Sequence, residues 1–339
     1  CTAAAIACLG FFLHYAEQNF NPYTIQIINL VAINAILAIS LNLIYGFTGM
    51  FSLGHAGFMA IGAYVCTLFI LSPDPKATMW MLEVMPDFLV NMSLPFFPAV
   101  VMAGIVAGLF GLLIALPVLR LGGDYLGIAT LGFAEIIRVV ITNIPSITNG
   151  ALGVKGIPAY ANIWWNYGWL IFTLFIICSL LKSNTGNVFK AIRDDEIAAR
   201  TMGINTFFYR VLSFCIGAFF AGVGGALMGS LISTIDPKMF NFMLTFNILM
   251  IVVAGGLGSV TGSIIGSVVI TFMLEMLRFV EDPFIIGGFQ VAGVPGMRMV
   301  IFSLLLLIII IFRREGLLGT REFSWNSLFF LPRYLNLRK

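Results

Sequence analysis

The sequence is short of charged residues. Asp, Glu, Lys and Arg make up 10% of its 339 residues, whereas 60% are hydrophobic and the mean hydropathy is +1.02. A soluble domain carries about a quarter charged residues, so this chain has too little polar surface to fold in water. The basic residues lie at the ends of apolar runs without a folded domain around them, which argues against nucleic-acid binding.

Reactive residue types and nucleotide motifs are also scarce. The chain has two histidines, His14 and His55, and five cysteines without metal-ligand spacing. No Ser–His, Cys–His or paired-carboxylate arrangement is apparent, which argues against an intramembrane enzyme. The phosphate-loop pattern G-x-x-x-x-G-K-[ST] is absent and there is no long soluble segment, so any ATP must be hydrolysed by another chain. Because the sequence starts at Cys1 without Met, we expect residues to be missing upstream.

Long apolar runs predict an all-α, polytopic membrane protein with about 8–10 transmembrane helices, since about 20 apolar residues span a bilayer. Residues 1–312 form the predicted transmembrane domain, and residues 313–339 a basic tail. Phe242–Ala254 is too short to cross alone and, with the glycine-rich stretch behind it, is typical of a broken element. The predicted spans are Thr2–His14 (truncated), Ile25–Tyr45, Gly54–Leu71, Phe96–Leu119, Tyr125–Ile141, Trp164–Leu181, Phe207–Thr234, Phe242–Ala254, Ser259–Phe279 and Gln290–Phe312.

The distribution of Lys and Arg predicts the orientation. Five of the 18 lie between Lys182 and Arg210 and six between Arg313 and Lys339, so both segments should face the cytoplasm. Ten spans would then put both termini inside. The tail either lies on the inner membrane surface as an interfacial helix or is a frayed basic end, and both interpretations stay open.

A few polar residues fall inside the apolar runs. Glu135 and Arg138, like Glu275 and Arg278, are three residues apart and can pair on one helix face, either as a structural contact or along a polar pathway. Asp124 is a candidate helix N-cap. Glycines in this context allow close helix packing or interrupted helices that expose backbone groups to a solute. The candidate pathway residues are Ser52, Gly54, His55, Gly57, Thr130 and Glu135.

The longest polar stretch lies between residues 182 and 206. Val188–Met202 has the pattern of a short amphipathic helix, and Gly203 stands where such a helix would end. The helix could lie on lipid or dock in a groove of a soluble partner. Its paired acidic residues favour the partner, because anionic lipid repels them.

The segment Glu196-Ile-Ala-Ala199-x-x-x-Gly203 resembles the EAA-type loop of ABC importer permeases, although the downstream proline of that loop is missing. Over Ile33–Ile311 the chain is similar to branched-chain amino-acid permeases of the LivM kind. It departs from them at Ser72–Pro95 and after Phe312. The motifs that carry the likeness are "NLIYGFTGMFSLGHAGFMAIGAY", "LRLGGDYLGIATLGFAEIIRVV", "TNGALGVKGIP" and "VVAGGLGSVTGSIIG".

The resemblance implies a bacterial inner-membrane permease subunit that imports branched-chain amino acids by alternating access. Its expected partners are a second permease of the LivH kind, two cytoplasmic ATPases that bind ATP and Mg, and a periplasmic binding protein. No cofactor is expected on this chain. The residues expected to couple it to an ATPase are Asp195, Glu196, Ala199 and Gly203. A urea or short-amide permease of the same family and an ion-gradient-driven transporter remain alternatives.

Overall fold

The computed structural model describes residues 2–80, 83, 85–121, 123–280, 284–286 and 289–291, with single positions between 296 and 322. The helices are α1 (Thr2–Asn19), α2 (Pro22–Asn42), α3 (His55–Ile70), α4 (Pro73–Met79), α5 (Asp87–Val90), α6 (Phe96–Val118), α7 (Asp124–Thr142), α8 (Pro145–Thr148), α9 (Ile163–Lys182), α10 (Asn184–Asp194), α11 (Glu196–Thr201), α12 (Thr206–Ile232), α13 (Phe242–Gly255) and α14 (Val260–Met276). Two antiparallel pairs of short strands are β1 (Val154–Lys155) with β2 (Thr234–Ile235), and β3 (Phe284–Ile286) with β4 (Phe289–Val291).

The chain is an all-α, multi-pass membrane protein, as predicted. In the part of the chain that the structure describes, six helical segments are long and apolar enough to span a bilayer, and α3 and α14 are shorter apolar helices. From α2 to α14 the predicted spans agree with the observed helices to within three residues at each end. The predicted span Gln290–Phe312 and the tail 313–339 lie mostly outside the described residues.

Helix α2 lies at the centre of the molecule. Its apolar window, extended by one π-helical turn at Leu43–Phe47, is 89% buried, whereas those of α7 and α9 are 33% buried. It packs against α9, α12, α13 and α14, while α3, α6 and α12 form a second packed group beside it.

Glycines allow the helices of this second group to touch backbone to backbone. A Cβ added to Gly62 in α3 would lie 2.1 Å from the Gly222 carbonyl oxygen of α12, and one added to Gly225 would lie 2.1 Å from the Met59 carbonyl oxygen. Both distances are impossible for real atoms, so a side chain there would push α3 and α12 apart. The prediction that the glycines of α3 serve close packing is confirmed at Gly62.

Two breaks in the helical path lie near each other at one end of the helix bundle. The π-helical turn after α2 is followed by a non-helical stretch that leads into α3, and α13 stops at Gly255 before α14 starts at Val260. Gly256 and Gly258, between α13 and α14, have φ values of +128° and +77°, which favour glycine. The predicted break after Phe242–Ala254 is therefore confirmed. The prediction that this segment is too short to cross alone is wrong, because a 3-10 turn before α13 extends it to Pro237–Gly255, which is long enough to span a bilayer.

The prediction that Asp124 is a helix N-cap is wrong, since α7 begins at Asp124 itself and Gly123 occupies the cap position.

At the opposite end of the bundle, the connection from α3 to α6 is held by Lys76. Its ammonium group donates a hydrogen bond to the Leu89 carbonyl oxygen at 2.9 Å and a second one to that of Met92. Burial lowers the pKa of Lys76.

Candidate coupling surface and buried polar cluster

The predicted helix Val188–Met202 is wrong as one continuous helix, because the structure divides it into α10 and α11. Asp195 between them has φ −155° and ψ +107°, an extended backbone that breaks the helical path. Its carboxylate accepts hydrogen bonds from the Ile197 and Ala198 amides at 2.9 and 3.0 Å. Asp195 is therefore the N-cap of α11, a role that stabilises a helix by about 1 kcal/mol.

Gly203 ends α11 in a Schellman motif. The Ile204 amide donates to the Ala199 carbonyl at 3.2 Å, and the Gly203 amide donates to the Arg200 carbonyl at 3.0 Å. Gly203 has φ +82°, and a Cβ added to it would meet nothing within 4 Å. Glycine is needed here for its backbone conformation and not for space.

Glu196 ties α11 to the start of α12. Its carboxylate accepts hydrogen bonds from the guanidinium groups of Arg200 at 2.9 Å and Arg210 at 2.5 Å, and from the Thr206 hydroxyl at 3.3 Å. The Glu196 side chain is 29% exposed, so each ion pair contributes about 1 kcal/mol or less. Together these contacts fix the angle of α11 against the membrane domain.

The outer side of α11 is apolar and open. Ile197 and Met202 are 78% and 82% exposed, while Ala199 on the inner side is 4% exposed. Two large hydrophobic side chains at the tip of a charged surface segment are typical of a protein contact site. The predicted coupling residues thus have structural roles in the observed conformation. Asp195, Glu196 and Gly203 stabilise the conformation of α11, and Ala199 packs on its buried side.

Arg193 at the end of α10 connects this surface to the bundle. Its guanidinium donates a hydrogen bond to the Gly46 carbonyl oxygen at 3.2 Å. This bond provides a donor for a carbonyl at the end of the π-helical turn, where the helix dipole favours a positive group. It also lies against the break between α13 and α14, where a Cβ added to Gly258 would be 3.0 Å from the guanidinium. Gly49 is equally close, since an added Cβ there would lie 3.2 Å from the Arg193 Cα.

Asn42 joins the same break from within the bundle. Its side-chain amide donates to the Ser259 carbonyl oxygen at 2.9 Å and to the Ser263 hydroxyl at 2.7 Å, and its oxygen accepts from the Gly258 amide at 2.9 Å. Asn42 is fully buried. One side chain thereby pairs with polar groups of the break and of the first turn of α14.

Five of the six predicted pathway residues come together where α3 begins. Ser52, His55 and Thr130 are 1%, 0% and 1% exposed, and Gly54 and Gly57 are buried beside them. A Cβ added to Gly54 would lie 3.1 Å from the Thr130 carbonyl oxygen, and one added to Gly57 would lie 2.9 Å from the Cα of Ala134. In the observed conformation these residues are packed against α7.

Side chains of other helices satisfy the free backbone groups of this stretch. The Leu53 amide donates to the Thr130 hydroxyl and the Ala56 amide to the Thr245 hydroxyl, both at 2.9 Å. His55 Nε2 is 2.8 Å from the Ser40 hydroxyl oxygen, while His55 Nδ1 is buried without a hydrogen-bond partner among the described residues.

Glu135, the sixth candidate, lies apart from this cluster. Its side chain is 52% exposed on the outer face of α7 and is paired with Arg138. Glu275 pairs with Arg278 at 3.2 Å and also accepts a hydrogen bond from the Tyr23 hydroxyl. The prediction that each charged pair meets on one helix face is confirmed.

Sequence reasoning missed Asn42, Arg193 and Thr245. An asparagine within an apolar run is a signal that could have identified Asn42, whereas the contacts of Arg193 and Thr245 depend on distant helices. Among the residues that the structure describes, no three His, Cys, Asp or Glu side chains group closely enough to hold a metal ion.

The chain is similar in sequence to known proteins. Residues 23–311 match the family described as permease component of branched-chain amino acid transport systems. The chain is 31% identical over 304 residues to the high-affinity branched-chain amino acid transport system permease protein LivM of Escherichia coli K12, which covers 79% of this chain and 67% of that protein. It is 25% identical over 330 residues to the permease protein LivH of Salmonella typhimurium, with 92% of this chain and 97% of LivH covered. BraD of Pseudomonas aeruginosa is 26% identical over 335 residues, covering 91% of this chain and 97% of BraD. No solved structure matches.

Proposed function

Because the chain belongs to the family of permease components of branched-chain amino acid transport systems, and is a transport subunit rather than an enzyme, we propose that it imports branched-chain amino acids by ATP-driven alternating access. In this proposal the chain lies in the bacterial inner membrane. The α10–α11 surface and both termini face the cytoplasm. Two ATPases that bind ATP and Mg, a second permease of the LivH kind and a periplasmic binding protein complete the transporter.

The observation that carries this proposal is the form of α11. It is a short helix capped at both ends, braced by Glu196, and tipped by the exposed side chains of Ile197 and Met202. A rigid helix with an apolar tip fits a groove on a soluble partner better than a lipid surface, because it carries Asp195 and Glu196 as well. In our proposal the ATPase receives this tip.

In this proposal, Arg193 transmits a movement of the ATPase to the membrane helices. A displacement of α10 acts on Gly46 at the end of α2 and on Gly258 at the break between α13 and α14. Asn42 links the same two places, so α2, α13 and α14 would respond together. Glycine-rich breaks are suited to this role because glycine can adopt a wide range of backbone angles and can therefore act as a hinge.

The pathway in this proposal lies between this chain and the second permease, along the outer face of α7. Glu135 is 11 residues from the start of α7, about 16 Å along a helix of membrane-spanning length. A lone charge at that depth costs about 3 kcal/mol or more against lipid, and charged residues in membrane helices usually face a protein interior or a water-filled cavity. The open space beside Gly132 on the same face would allow a close approach of the partner.

Ser52, Gly54, His55, Gly57 and Thr130 belong to the moving wall of the pathway in this proposal. They are sealed in the observed conformation, and exposure of their backbone groups would require the other conformation of the cycle. Substrate affinity then comes mainly from the binding protein. A urea or short-amide substrate is the second candidate, since the buried groups here are hydroxyl, imidazole and backbone groups with no charge specific for an amino acid.

The test is uptake of labelled leucine by vesicles that contain the complete transporter, with ATP present or absent and with a proton ionophore. We expect uptake to require ATP and to survive the ionophore. Uptake that proceeds without the ATPases and collapses with the ionophore would instead identify an ion-gradient-driven transporter. Labelled urea in the same vesicles separates the two substrate classes.

Glu196→Gln tests the coupling assignment in the same vesicles. It weakens the contacts to Arg200 and Arg210 while retaining shape, so we expect ATP hydrolysis to continue and the number of molecules imported per ATP to fall severalfold. Glu17→Gln is the matched control, because Glu17 accepts a hydrogen bond from Trp164 at the opposite end of the bundle. Equal coupling ratios in the two variants would refute the assignment.

A further inference from the structure

A cavity of about 570 Å³ opens at the end of α9, beside the coupling surface. It is lined along α9 by Leu174, Cys178 and Leu181, which recur at helical spacing on one face over about 10 Å. Ile264 of α14 and Phe47 of the π-helical turn face them. The inner part of the cavity is therefore apolar and runs along two membrane-spanning helices.

The mouth of the same cavity is basic. Lys182, Lys190 and Arg193 line it, and the only carboxylate on its described lining is that of Glu322. Neither lysine has a hydrogen-bond or ion-pair partner among the described residues, whereas Arg193 pairs with Asp194 at 2.8 Å. Within the part of the chain that the structure describes, two ammonium groups thus lie without a direct ion-pair partner at the end of an apolar helix.

Glu322 forms no ion pair with these lysines among the described residues, and its oxygens accept hydrogen bonds from α14. One accepts a hydrogen bond from the Val260 amide at 2.7 Å, and the other accepts from the Thr261 amide at 3.2 Å and the Thr261 hydroxyl at 3.0 Å. The carboxylate caps the start of α14, where the helix dipole favours a negative group. Lys182, Lys190 and Arg193 carry three positive charges and Glu322 and Asp194 carry two negative charges, so the described residues at the mouth have an excess of one positive charge.

We propose that this cavity binds an acidic phospholipid. Its phosphate would lie between Lys182 and Lys190, and one acyl chain would lie along Leu174, Cys178 and Leu181. Basic pockets between membrane helices on the cytoplasmic side are suited to such headgroups. A free phosphate-bearing anion would use only the lysines, whereas the apolar wall beside them has use only for a ligand with a hydrocarbon part. The inference requires that the chain lie in a membrane, and it is independent of the transported substrate.

The experiment measures lipid binding to the complete transporter purified in detergent. Phosphatidylglycerol, phosphatidylcholine and inorganic phosphate are titrated separately, and thermal unfolding and native mass spectrometry report binding. We expect phosphatidylglycerol to raise the unfolding temperature and to remain bound in the mass spectrum. The other two should do neither at the same concentration.

The double variant Lys182→Gln, Lys190→Gln should bind phosphatidylglycerol about 30-fold more weakly, since each lysine near anionic lipid contributes about fivefold. Lys155→Gln, Lys238→Gln is the matched control, because both of these lysines are exposed at the other end of the bundle. The control should bind as the unaltered protein does.

Three outcomes would overturn the proposal. Equal binding of phosphatidylglycerol and phosphatidylcholine would show that the headgroup charge is irrelevant. A shift in unfolding temperature with inorganic phosphate alone would identify a site for a free anion. Unchanged binding in the Lys182, Lys190 variant would place the lipid elsewhere. Because no arm measures transport, failure here leaves the proposed transport function unaffected.

Discussion

Between α3 and α12, one backbone meets another with no room for a side chain, whereas at the end of α11 the backbone of Gly203 faces open space. Gly62 lies within α3 and Gly203 just after α11; glycine is required at the first by distance and at the second by its φ of +82°. The core contact cannot open without moving whole helices. The candidate coupling surface at α11 keeps its conformation through local hydrogen bonds, and the side chains of Ile197 and Met202 at its tip are exposed.

The difference indicates how a membrane protein can be rigid and still transmit motion. Dispersion contacts and close backbone approach hold the packed helices together, since lipid supplies no hydrophobic force between them. If the chain changes conformation as proposed, we expect the motion to be concentrated where packing is interrupted, at the π-helical turn after α2 and at the break between α13 and α14. The four predictions below test this division.

The largest effect is expected from Gly62→Ala. The new methyl group would lie 2.1 Å from the Gly222 carbonyl oxygen, so α3 and α12 must separate at a cost on the order of 3 kcal/mol or more. Thermal unfolding in detergent should show a large fall in midpoint or a loss of folded protein. Gly168→Ala in α9 is the control, because a Cβ there meets nothing within 4 Å and alanine favours the helix by about 1 kcal/mol. If Gly62→Ala unfolds no earlier than Gly168→Ala, close packing does not hold this contact.

Asn42→Leu should rank second. It leaves the Gly258 amide without its buried acceptor, at a cost of about 1–3 kcal/mol, and it removes one of the hydrogen bonds to the Ser259 carbonyl, which still accepts from the Ser263 amide. Thermal unfolding measures the loss. Asn34→Leu in the same helix removes one half-buried hydrogen bond to Thr271 and should cost less. The reverse order would mean that the break is not anchored by Asn42.

Gly203→Ala should have a smaller effect, by a mechanism unlike that at Gly62. Alanine at φ +82° is strained by about 1–2 kcal/mol, although there is space for its methyl group. We expect a small fall in unfolding temperature and a lower ratio of transport to ATP hydrolysis. Gly203→Asn should restore part of both, because asparagine tolerates a left-handed backbone. An asparagine variant no better than alanine would argue against backbone strain as the cause.

The smallest effect on stability is expected from Ile197→Ser combined with Met202→Ser. Both side chains are mostly exposed, so the unfolding temperature should stay the same within about 0.5 kcal/mol of stability. Binding of the purified ATPase, measured by titration, should nevertheless weaken severalfold. Leu152→Ser, at a residue 53% exposed at the opposite end of the bundle, should not change ATPase binding. Equal affinities in the two variants would exclude the tip of α11 as the contact.

Much of the fold could be predicted from the sequence because its determinants are local. A run of apolar residues spans the membrane wherever it stands, so the bounds of the long apolar helices between α2 and α14 were accessible from hydropathy. Gly203 was identified as a helix end because the Schellman motif depends on a few consecutive residues. The break after α13 was predicted from the shortness of the apolar run.

The candidate site was predicted less completely. The apolar pattern of Val188–Met202 continues through Asp195, so its period gave no sign that Asp195 adopts an extended conformation. The contact of Arg193 with Gly46 joins residues 147 positions apart, and no local pattern contains it. The roles assigned to the coupling and pathway residues remain predictions that the experiments above address.

The sequence by itself determined that this protein crosses a membrane repeatedly and where most of its helices begin and end. Those properties depend on composition and on neighbouring residues. The tertiary structure decided which polar groups are sealed, which face outward and which join distant helices. Burial, hydrogen bonding and close approach depend on distances between segments, and a linear pattern contains no such distances.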